Sequence, residues 1–398
     1  MNDERINLPN GLTVLLNRQG NGASVSLTVP VGHSNAPMGL AALFEQVVCQ
    51  KFPQVVAVYG GTITSYFDEC DDVDMLPALL YRLSKMVKFR DFHQHVIDKI
   101  AESVVQHTRD FAPLPNRQMK RFYKYVAFED GTSGEATGWD PEGYINAVIS
   151  YKVKDLQDLA DTYFTGNNMI LSVSGAFLND ESMARDVVEL VSYWFGGIAA
   201  GEKKPIVNGI YSGGHGRLDP VGEHRQFMLG WDISNLHNIA EANVLMSMLK
   251  GRLERAFIGF DVDCEVKIAG YYGYRTLRIS VASKTDKNVN NLIDIVCDNV
   301  RRLRTELASE YRMETSRRLA LQEKLAVFSQ PQDRSIEVAW QILGRGNMYD
   351  INDRINRTGY VTAHDVREIA KDIFSGVLTY VVYAPDDVYS YDEVKAKL

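Results

Sequence analysis

Two distant segments of the chain follow the same pattern, and this repeat is the strongest constraint on the fold. Residues 155–175 align with residues 365–385 at one constant offset of 210 residues. The identical pairs are Asp155 and Asp365, Ala160 and Ala370, Phe164 and Phe374, and Gly166 and Gly376. Both segments predict a capped amphipathic helix, a glycine that caps its C-terminus, and an apolar β-strand. We therefore interpret the chain as a duplication.

The length of the chain agrees with two similar domains. Its 398 residues exceed the size at which a single hydrophobic core stops growing, about 250–300 residues. Residues 196–220 are rich in Gly and Pro and lack periodicity, which is typical of a linker. We expect an N-terminal domain over residues 1–195, this linker, and a C-terminal domain over residues 221–398 that repeats the first.

Composition and charge argue against several classes of protein. The chain is 45% hydrophobic and 24% charged, as is typical of a globular protein. Its formal net charge of -8 does not favour binding to nucleic acid or to an anionic membrane. We see no signal peptide and no apolar run near the roughly 18–20 residues of a membrane span. The four cysteines form no CxxC pair, so we expect reduced thiols and a cytoplasmic protein.

Hydrophobic periodicity places strands and helices in the same order in each half. In the first half it predicts a hairpin over 6–17, a strand over 23–31, a helix over 39–50, a strand pair over 56–67, and helices over 75–88 and 95–108. Ser34 or Asn35 is the expected N-cap of the helix over 39–50, and Pro37 suits its first turn. The second half repeats strand, helix, strand pair and helix.

The helix over residues 39–50 carries two stripes. Its apolar residues have the spacing of one buried helical face: Leu40, Leu43, Phe44, Val47 and Val48. Another face carries Ala42, Glu45, Gln46 and Cys49. This second stripe is either the remnant of an active site or the solvent-exposed face of a core helix. Periodicity alone does not distinguish these two interpretations.

The order of these elements resembles peptidase family M16, the pitrilysin/insulinase superfamily of inverted-motif zinc peptidases. The most specific part is residues 8–46, where LPNGLTVLL and VGHSNAPMGLAALFEQ follow the family's LPNGL strand and VGSRDEP..GLAHFLEH sequence. The chain is similar to the small two-domain members. The resemblance implies an α+β fold of two homologous domains, each a mainly antiparallel sheet covered by helices on one face, which close around an unfolded peptide.

The resemblance also implies a zinc site on the helix over 39–50, and the ligands of that site are missing. Active members carry HxxEH, in which two histidines one helical turn apart bind Zn²⁺ and the Glu activates the bound water. Here Ala42 and Gln46 occupy the ligand positions, and only Glu45 retains its residue. The third ligand, a Glu on a later helix, corresponds to His107 or Thr108. We therefore expect no metal and no catalytic residue in this chain.

A second family signature lies in the other half, where an Arg and a Tyr hold the substrate backbone and the oxyanion. The corresponding stretch here is GRLERAFIGFDV. Phe260 lies near the Tyr position and lacks the hydroxyl, while Arg252 or Arg255 could supply the Arg. The resemblance thus implies a weakened substrate-binding region at Arg252, Arg255 and Phe260.

Other residues offer weaker candidates for binding. His93 and His95 could form a metal pair, but positions i and i+2 of a helix point to different faces, so we interpret them as a solvated helix start. Cys49 has no evident histidine partner, and we interpret it as a buried small hydrophobe. An extended peptide could add as a strand beside three tyrosines near Gly273, unless these only pack in the fold: Tyr271, Tyr272 and Tyr274.

Three hypotheses about function follow. The first is a catalytically inactive subunit of a paired zinc peptidase, which helps an HxxEH-bearing subunit of similar size to enclose an extended peptide, with zinc only in that partner. The second is a stand-alone homodimeric scaffold or peptide-binding pseudopeptidase. The third is an active peptidase with a metal site rebuilt from Glu45, His107 or the pair His93 and His95.

Overall fold

The protein divides into two compact units, and neither is a continuous stretch of sequence. The computed structural model describes residues 4–129, 140–206, 209–220, 222–236, 239–271, 274–283, 288–346, 351–385 and 387–398. Unit 1 consists of Met1–Asp110, Asp140–Val207 and Ala326–Met348. Unit 2 consists of Phe111–Trp139, Asn208–Leu325 and Tyr349–Leu398. Each unit thus includes one segment from the opposite half of the chain, in place of the simple division at 196–220 that the sequence suggests.

Unit 1 contains a six-stranded mixed sheet. Its strands are β1 Glu4–Asn7, β2 Thr13–Asn17, β3 Ala23–Val29, β4 Val56–Tyr59, β5 Thr64–Cys70 and β6 Ile170–Ser174, in the spatial order β1-β2-β6-β3-β5-β4. The pair β2 and β6 is parallel, and the other pairs are antiparallel. The predicted hairpin over 6–17 and strand pair over 56–67 are confirmed.

Unit 2 contains a five-stranded sheet with the same plan. Its strands are β7 Gly214–Leu218, β8 Arg225–Asp232, β9 Val262–Tyr271, β10 Tyr274–Ser283 and β11 Leu378–Tyr383, in the order β7-β11-β8-β10-β9. The first pair is parallel and the rest are antiparallel, which reproduces the pattern from β2 to β4 in unit 1. The mainly antiparallel, duplicated α+β fold is therefore confirmed. Strand β7 lies inside the predicted linker.

The helices flank these sheets. Those of the described residues are α1 Leu40–Lys51, α2 Leu76–Val87, α3 Gln94–Phe111, α4 Pro115–Ala127, α5 Pro141–Ser150, α6 Val153–Tyr163, α7 Glu181–Phe195, α8 Ile239–Ala256, α9 Val289–Thr305, α10 Glu310–Ser329, α11 Pro331–Arg345, α12 Ile351–Tyr360, α13 Ala363–Phe374 and α14 Tyr391–Lys397. Within the described part of the chain, none of them is both long and apolar enough to cross a bilayer.

In unit 1 the two faces of the sheet differ in polarity. Val25, Leu27 and Val29 alternate along β3 and join the hydrophobic core formed with α1, α2, α3, α6 and α7. The opposite face carries buried hydroxyl side chains and is covered by α11, where the Ser335 and Ser174 hydroxyl groups lie 2.8 Å apart. The expectation of helices on one face is therefore incomplete, since α11 covers the second face.

In unit 2 the second face is covered by α4, and its chemistry is aromatic. Met119, Tyr123 and Ala127 of α4 pack against Met228 of β8 and neighbouring strand residues. The Arg278 guanidinium lies over the Tyr123 ring at 5.3 Å. Helices α8, α9 and α13 cover the other face with a large apolar core.

The repeated segments have the same local structure in both units. In α6 the Asp155 carboxylate accepts a hydrogen bond from the backbone N–H of Lys152, and in α13 Asp365 does the same for Thr362. Each helix is followed by a central strand, β6 or β11. The equivalent carboxylates occupy the same position in a capping box, which supports the duplication.

The prediction that Gly166 and Gly376 cap these helices is wrong. Phe164 and Ser375 occupy the C-cap positions, and neither glycine has a positive φ. Gly166 is required for another reason, because a Cβ there would lie 2.0 Å from the carbonyl oxygen of Asn10. At Gly376 the corresponding nearest atom, the Ile373 carbonyl oxygen, is 3.1 Å away.

This difference predicts unequal costs for the same substitution at two repeat-related positions. We expect Gly166→Ala to lower the free energy of unfolding by about 1–3 kcal/mol, because the backbone at Asn10 must move. Gly376→Ala should cost less than half of that. Urea unfolding of both variants measures the difference, and equal costs would contradict the assignment of close backbone approach at Gly166 alone.

Candidate functional site

The loop before α1 fixes where this helix begins. The Asn35 side chain accepts a hydrogen bond from the Gly32 N–H at 2.6 Å and donates to the Thr62 carbonyl oxygen at 3.2 Å. A Cβ on Gly32 would lie 2.4 Å from the Gly60 carbonyl oxygen. The predicted capping by Ser34 or Asn35 is wrong, since the N-cap is Gly39 at φ 77° and has no side-chain cap. Asn35 instead ties the loop to the turn between β4 and β5.

The apolar stripe of α1 is buried as predicted. Its five residues belong to the core of unit 1: Leu40, Leu43, Phe44, Val47 and Val48. The Phe44 ring lies 5.7 Å from the Phe92 ring and 5.2 Å from the Phe164 ring. These contacts hold the helix in place and do not involve any residue of the second stripe.

The second stripe of α1 does not form a uniform face. Ala42 is only 2% exposed, whereas Gln46, one turn later, is exposed. An alanine has no donor atom for a metal, and a carboxamide is a poor zinc ligand. The two positions that the family uses for histidine ligands are thus chemically different from each other and from a metal site.

Glu45 lies in a small half-buried cluster with Cys49 and Tyr66. The Cys49 thiol is hydrogen-bonded to the Glu45 carboxyl, yet burial is the larger effect and raises the pKa of Glu45. Burial and the nearby Glu45 charge raise the pKa of Cys49 to about 12. Tyr66 of β5 is fully buried, and burial again raises its pKa, with smaller contributions from Cys49 and Glu45.

This cluster favours the protonated form of each of its three groups. Metal ligands must instead be deprotonated, so the surroundings of Glu45 oppose cation binding by these side chains. The sequence did not identify Tyr66. The relevant signal was the alternation of β5 together with the spacing of Glu45 and Cys49, which lie one helical turn apart.

The position of the third family ligand lies on α3. Thr108 is buried, and its hydroxyl donates a hydrogen bond to the Val104 carbonyl oxygen of the same helix at 2.8 Å. His107 is exposed. The buried residue of the two therefore has its hydroxyl engaged within its own helix.

The remaining histidine candidates lie at the start of α3. His93 precedes the helix, and its ring stacks on the His95 ring with centroids 5.7 Å apart. Both residues are exposed, in agreement with a solvated helix start, but the stacked rings show that the two side chains do not point to different faces. In the ranges that the structure describes, no three His, Cys, Asp or Glu side chains are grouped so that they could hold a metal ion.

The three candidate residues of the second half differ in how exposed their side chains are. Arg252 is 6% exposed, Arg255 is exposed, and Phe260 is 36% exposed. The Phe260 ring packs edge-on against Phe257 at 6.0 Å. Only Arg255 and Phe260 are therefore accessible at the surface, and Arg252 belongs to the interior of the helical layer.

The three tyrosines near Gly273 lie only in part within the described residues. Strand β9 ends at Tyr271 and β10 begins at Tyr274. Tyr272 and Gly273, with the side chains of Tyr271 and Tyr274, lie outside the described residues. Strand addition at these residues stays a prediction.

Comparisons with known proteins connect this geometry to a family. Residues 150–319 match the family model of the Peptidase M16 inactive domain. This match covers less than half of the chain and links its central part to the M16 family. A protease from Helicobacter pylori superposes with a TM-score of 0.81 at 15% identity, covering 96% of this chain and 100% of that chain. The resemblance seen in the sequence is confirmed, and its most specific motifs lie in residues 8–46, outside the matched range.

Two further solved structures share the fold. A chain of complex III2 from Candida albicans, with Inz-5 bound, has a TM-score of 0.82 at 13% identity and covers 99% of both chains. An M16-like peptidase from Alicyclobacillus acidocaldarius has a TM-score of 0.76 at 15% identity and covers 97% of this chain and 98% of that chain. No curated protein sequence matches the chain.

The raised pKa of Glu45 predicts how its substitution changes stability with pH. A carboxyl whose pKa is raised in the folded state contributes stability below its unfolded pKa, about 4.3, and this contribution is lost as the pH rises through the folded value. We therefore expect Glu45→Gln to raise the melting temperature at pH 7 and to lose this advantage towards pH 4. Thermal unfolding across this range measures the effect.

Gln46→Ala is the control for this prediction. It replaces an exposed, uncharged neighbour on the same helix, so its effect on the melting temperature should not change with pH. A Glu45→Gln variant that is less stable than the wild type at pH 7 would show that the ionised carboxylate is stabilised by its surroundings.

Proposed function

We propose that this M16-type chain is a catalytically inactive subunit of a paired zinc peptidase. It would associate with an HxxEH-bearing subunit of similar size, close the peptide chamber and help to bind an extended peptide. The observation that carries the proposal is the state of the ligand positions on α1. Ala42 is buried without a donor atom, and Gln46 is exposed to solvent.

The state of Glu45 supports the same proposal. In an active site of this type the Glu accepts a proton from zinc-bound water, which requires an ionised carboxylate beside the metal. Burial favours the neutral form of Glu45, and its side chain is hydrogen-bonded to Cys49. Without an activated water, such a group has no proton to accept, so Glu45 would be a remnant of the motif with a local structural contact.

Pairing with a second chain is supported by one of the structural neighbours. The Candida albicans chain is part of complex III2, a larger assembly, and it matches this chain over its full length. The family resemblance implies in addition that members without HxxEH act beside a catalytic partner. In such a pair the zinc would be held by the partner alone, and this chain would contribute surface and shape to the chamber.

The metal content of variants tests the catalytic part of the proposal. The purified chain should bind substoichiometric zinc and cleave no peptide. The pair Ala42→His and Gln46→His should gain weak zinc binding, and adding Thr108→Glu should strengthen it, because the third ligand position is then filled. Gln46→His alone is the control. One tightly bound zinc in the wild-type chain would overturn the proposal.

Copurification tests the partner. The full chain, tagged and purified from its native source, should retain a second polypeptide of similar size that carries HxxEH, in a 1:1 ratio by native mass spectrometry. Recovery of a homodimer without any second polypeptide would instead support the stand-alone scaffold and overturn the paired subunit. Peptide cleavage by the complex and not by this chain would assign the catalysis to the partner.

A further inference from the structure

Three helices of unit 2 bring arginines to one region of the surface. Helices α8, α9 and α10 share one hydrophobic core, to which they contribute Leu253, Leu303 and Met313. Each of these buried residues directly follows an arginine in the sequence: Arg252, Arg302 and Arg312. The three arginines are thus carried by helices that share one core, and the charges of Arg312 and Arg302 both act on Arg252.

Arg252 is the unusual member of this group. It is 94% buried, given its 6% exposure, and its Nε atom is buried without a hydrogen-bond partner. Among the described residues, none forms a hydrogen bond or ion pair with this side chain. A guanidinium remains protonated in proteins, and a buried charge without a partner is costly. An anion beside this guanidinium would supply the partner that its Nε atom lacks.

The charges around Arg252 are mostly of its own sign. Burial lowers the pKa of the Arg252 guanidinium, and the positive charge of Arg312 lowers it further. Arg302 and Arg255 act in the same direction, while Glu306 opposes them. Arg302 forms an ion pair with Asp298, 2.9 Å from its Nε atom, and Arg255, Arg302 and Arg312 are all exposed. Two carboxylates, Glu306 and Asp298, therefore lie near four guanidinium groups.

Stabilisation of helix ends does not account for this group. Cations are favoured at helix C-termini, which explains Arg255 at the end of α8 and Arg302 in the last turn of α9. It does not explain Arg312, which lies in the first turn of α10, where a cation is unfavourable. It does not explain the burial of Arg252 either. An anion between these side chains would account for the position of Arg312 and for the burial of Arg252.

We propose that Arg252, Arg302 and Arg312 form a binding site for a phosphate group, with Arg252 as its buried base. A phosphate carries up to two negative charges and has tetrahedrally arranged oxygens, so guanidinium groups from three directions can each donate to it. A planar carboxylate has only two oxygens to share among them. The ligand is either inorganic phosphate or the phosphoryl group of a phosphomonoester.

The site is distinct from the proposed peptidase function. The family resemblance assigned Arg252 or Arg255 to substrate binding, but Arg252 is buried among the helices of unit 2, and the exposed Arg302 and Arg312 act on its charge. A phosphate there would neutralise the helical layer and join α8, α9 and α10. The proposal holds whether or not a catalytic partner exists.

Titration of the full chain with inorganic phosphate tests the site. At constant ionic strength, phosphate should bind once per chain by calorimetry and raise the melting temperature above that in chloride. Arg312→Ala removes an exposed arginine and should weaken binding about tenfold or more, because a charge-assisted hydrogen bond is lost. Glu306→Gln should strengthen binding, since it removes the competing carboxylate.

Arg301→Ala is the matched control, because Arg301 is an exposed arginine of α9 that pairs with Asp298. Its effect on phosphate affinity should stay within about twofold. No binding beyond the chloride control, or equal losses for Arg301→Ala and Arg312→Ala, would overturn the site. O-phosphoserine as a second probe separates the sources: tighter binding than inorganic phosphate supports a phosphomonoester, and weaker binding supports the free ion.

Discussion

A β-sheet buried between helices must have both faces removed from water, and in each unit one helix from the opposite half of the sequence covers the second face. In unit 1 this helix is α11, which lies over the hydroxyl-bearing face of β3 and β6. In unit 2 it is α4, which packs through Met119 and Tyr123. Neither half of the sequence therefore completes its own sheet. This requirement explains why units 1 and 2 are each discontinuous in sequence, although the two halves of the chain follow one another as simple repeats.

The residues that hold α1 in place are separate from those that would make it catalytic. Phe44 and the other residues of the apolar stripe anchor the helix, and Asn35 fixes the loop before it. Gln46 of the second stripe is exposed and takes no part in this packing. The position of the helix is therefore explained by apolar packing and does not require a metal at Ala42 and Gln46.

The periodic and local parts of the fold follow directly from the sequence. The hairpin at Pro9-Asn10-Gly11, the buried stripe of α1 and the repeated helix-strand segments depend on contacts near in the chain or on simple alternation. The exchange of α4 and α11 does not, because their amphipathic patterns show only that one face is buried and not which sheet buries it. The same limit applies to Gly166, where a C-cap was expected and a distant backbone at Asn10 is the actual cause.

The candidate sites show which properties residue identity alone predicts and which require the three-dimensional structure. The absence of zinc ligands at Ala42 and Gln46 could be read from the sequence, since it concerns which atoms are present. The state of Glu45 could not, because it depends mainly on its partial burial in the folded unit. Arg252 illustrates the same point more strongly. Aligned with a family pattern, it is a candidate for binding substrate at the surface. In the structure, Arg252 is buried and the charges near it are mostly those of other arginines, which makes its surroundings the more informative property of that side chain.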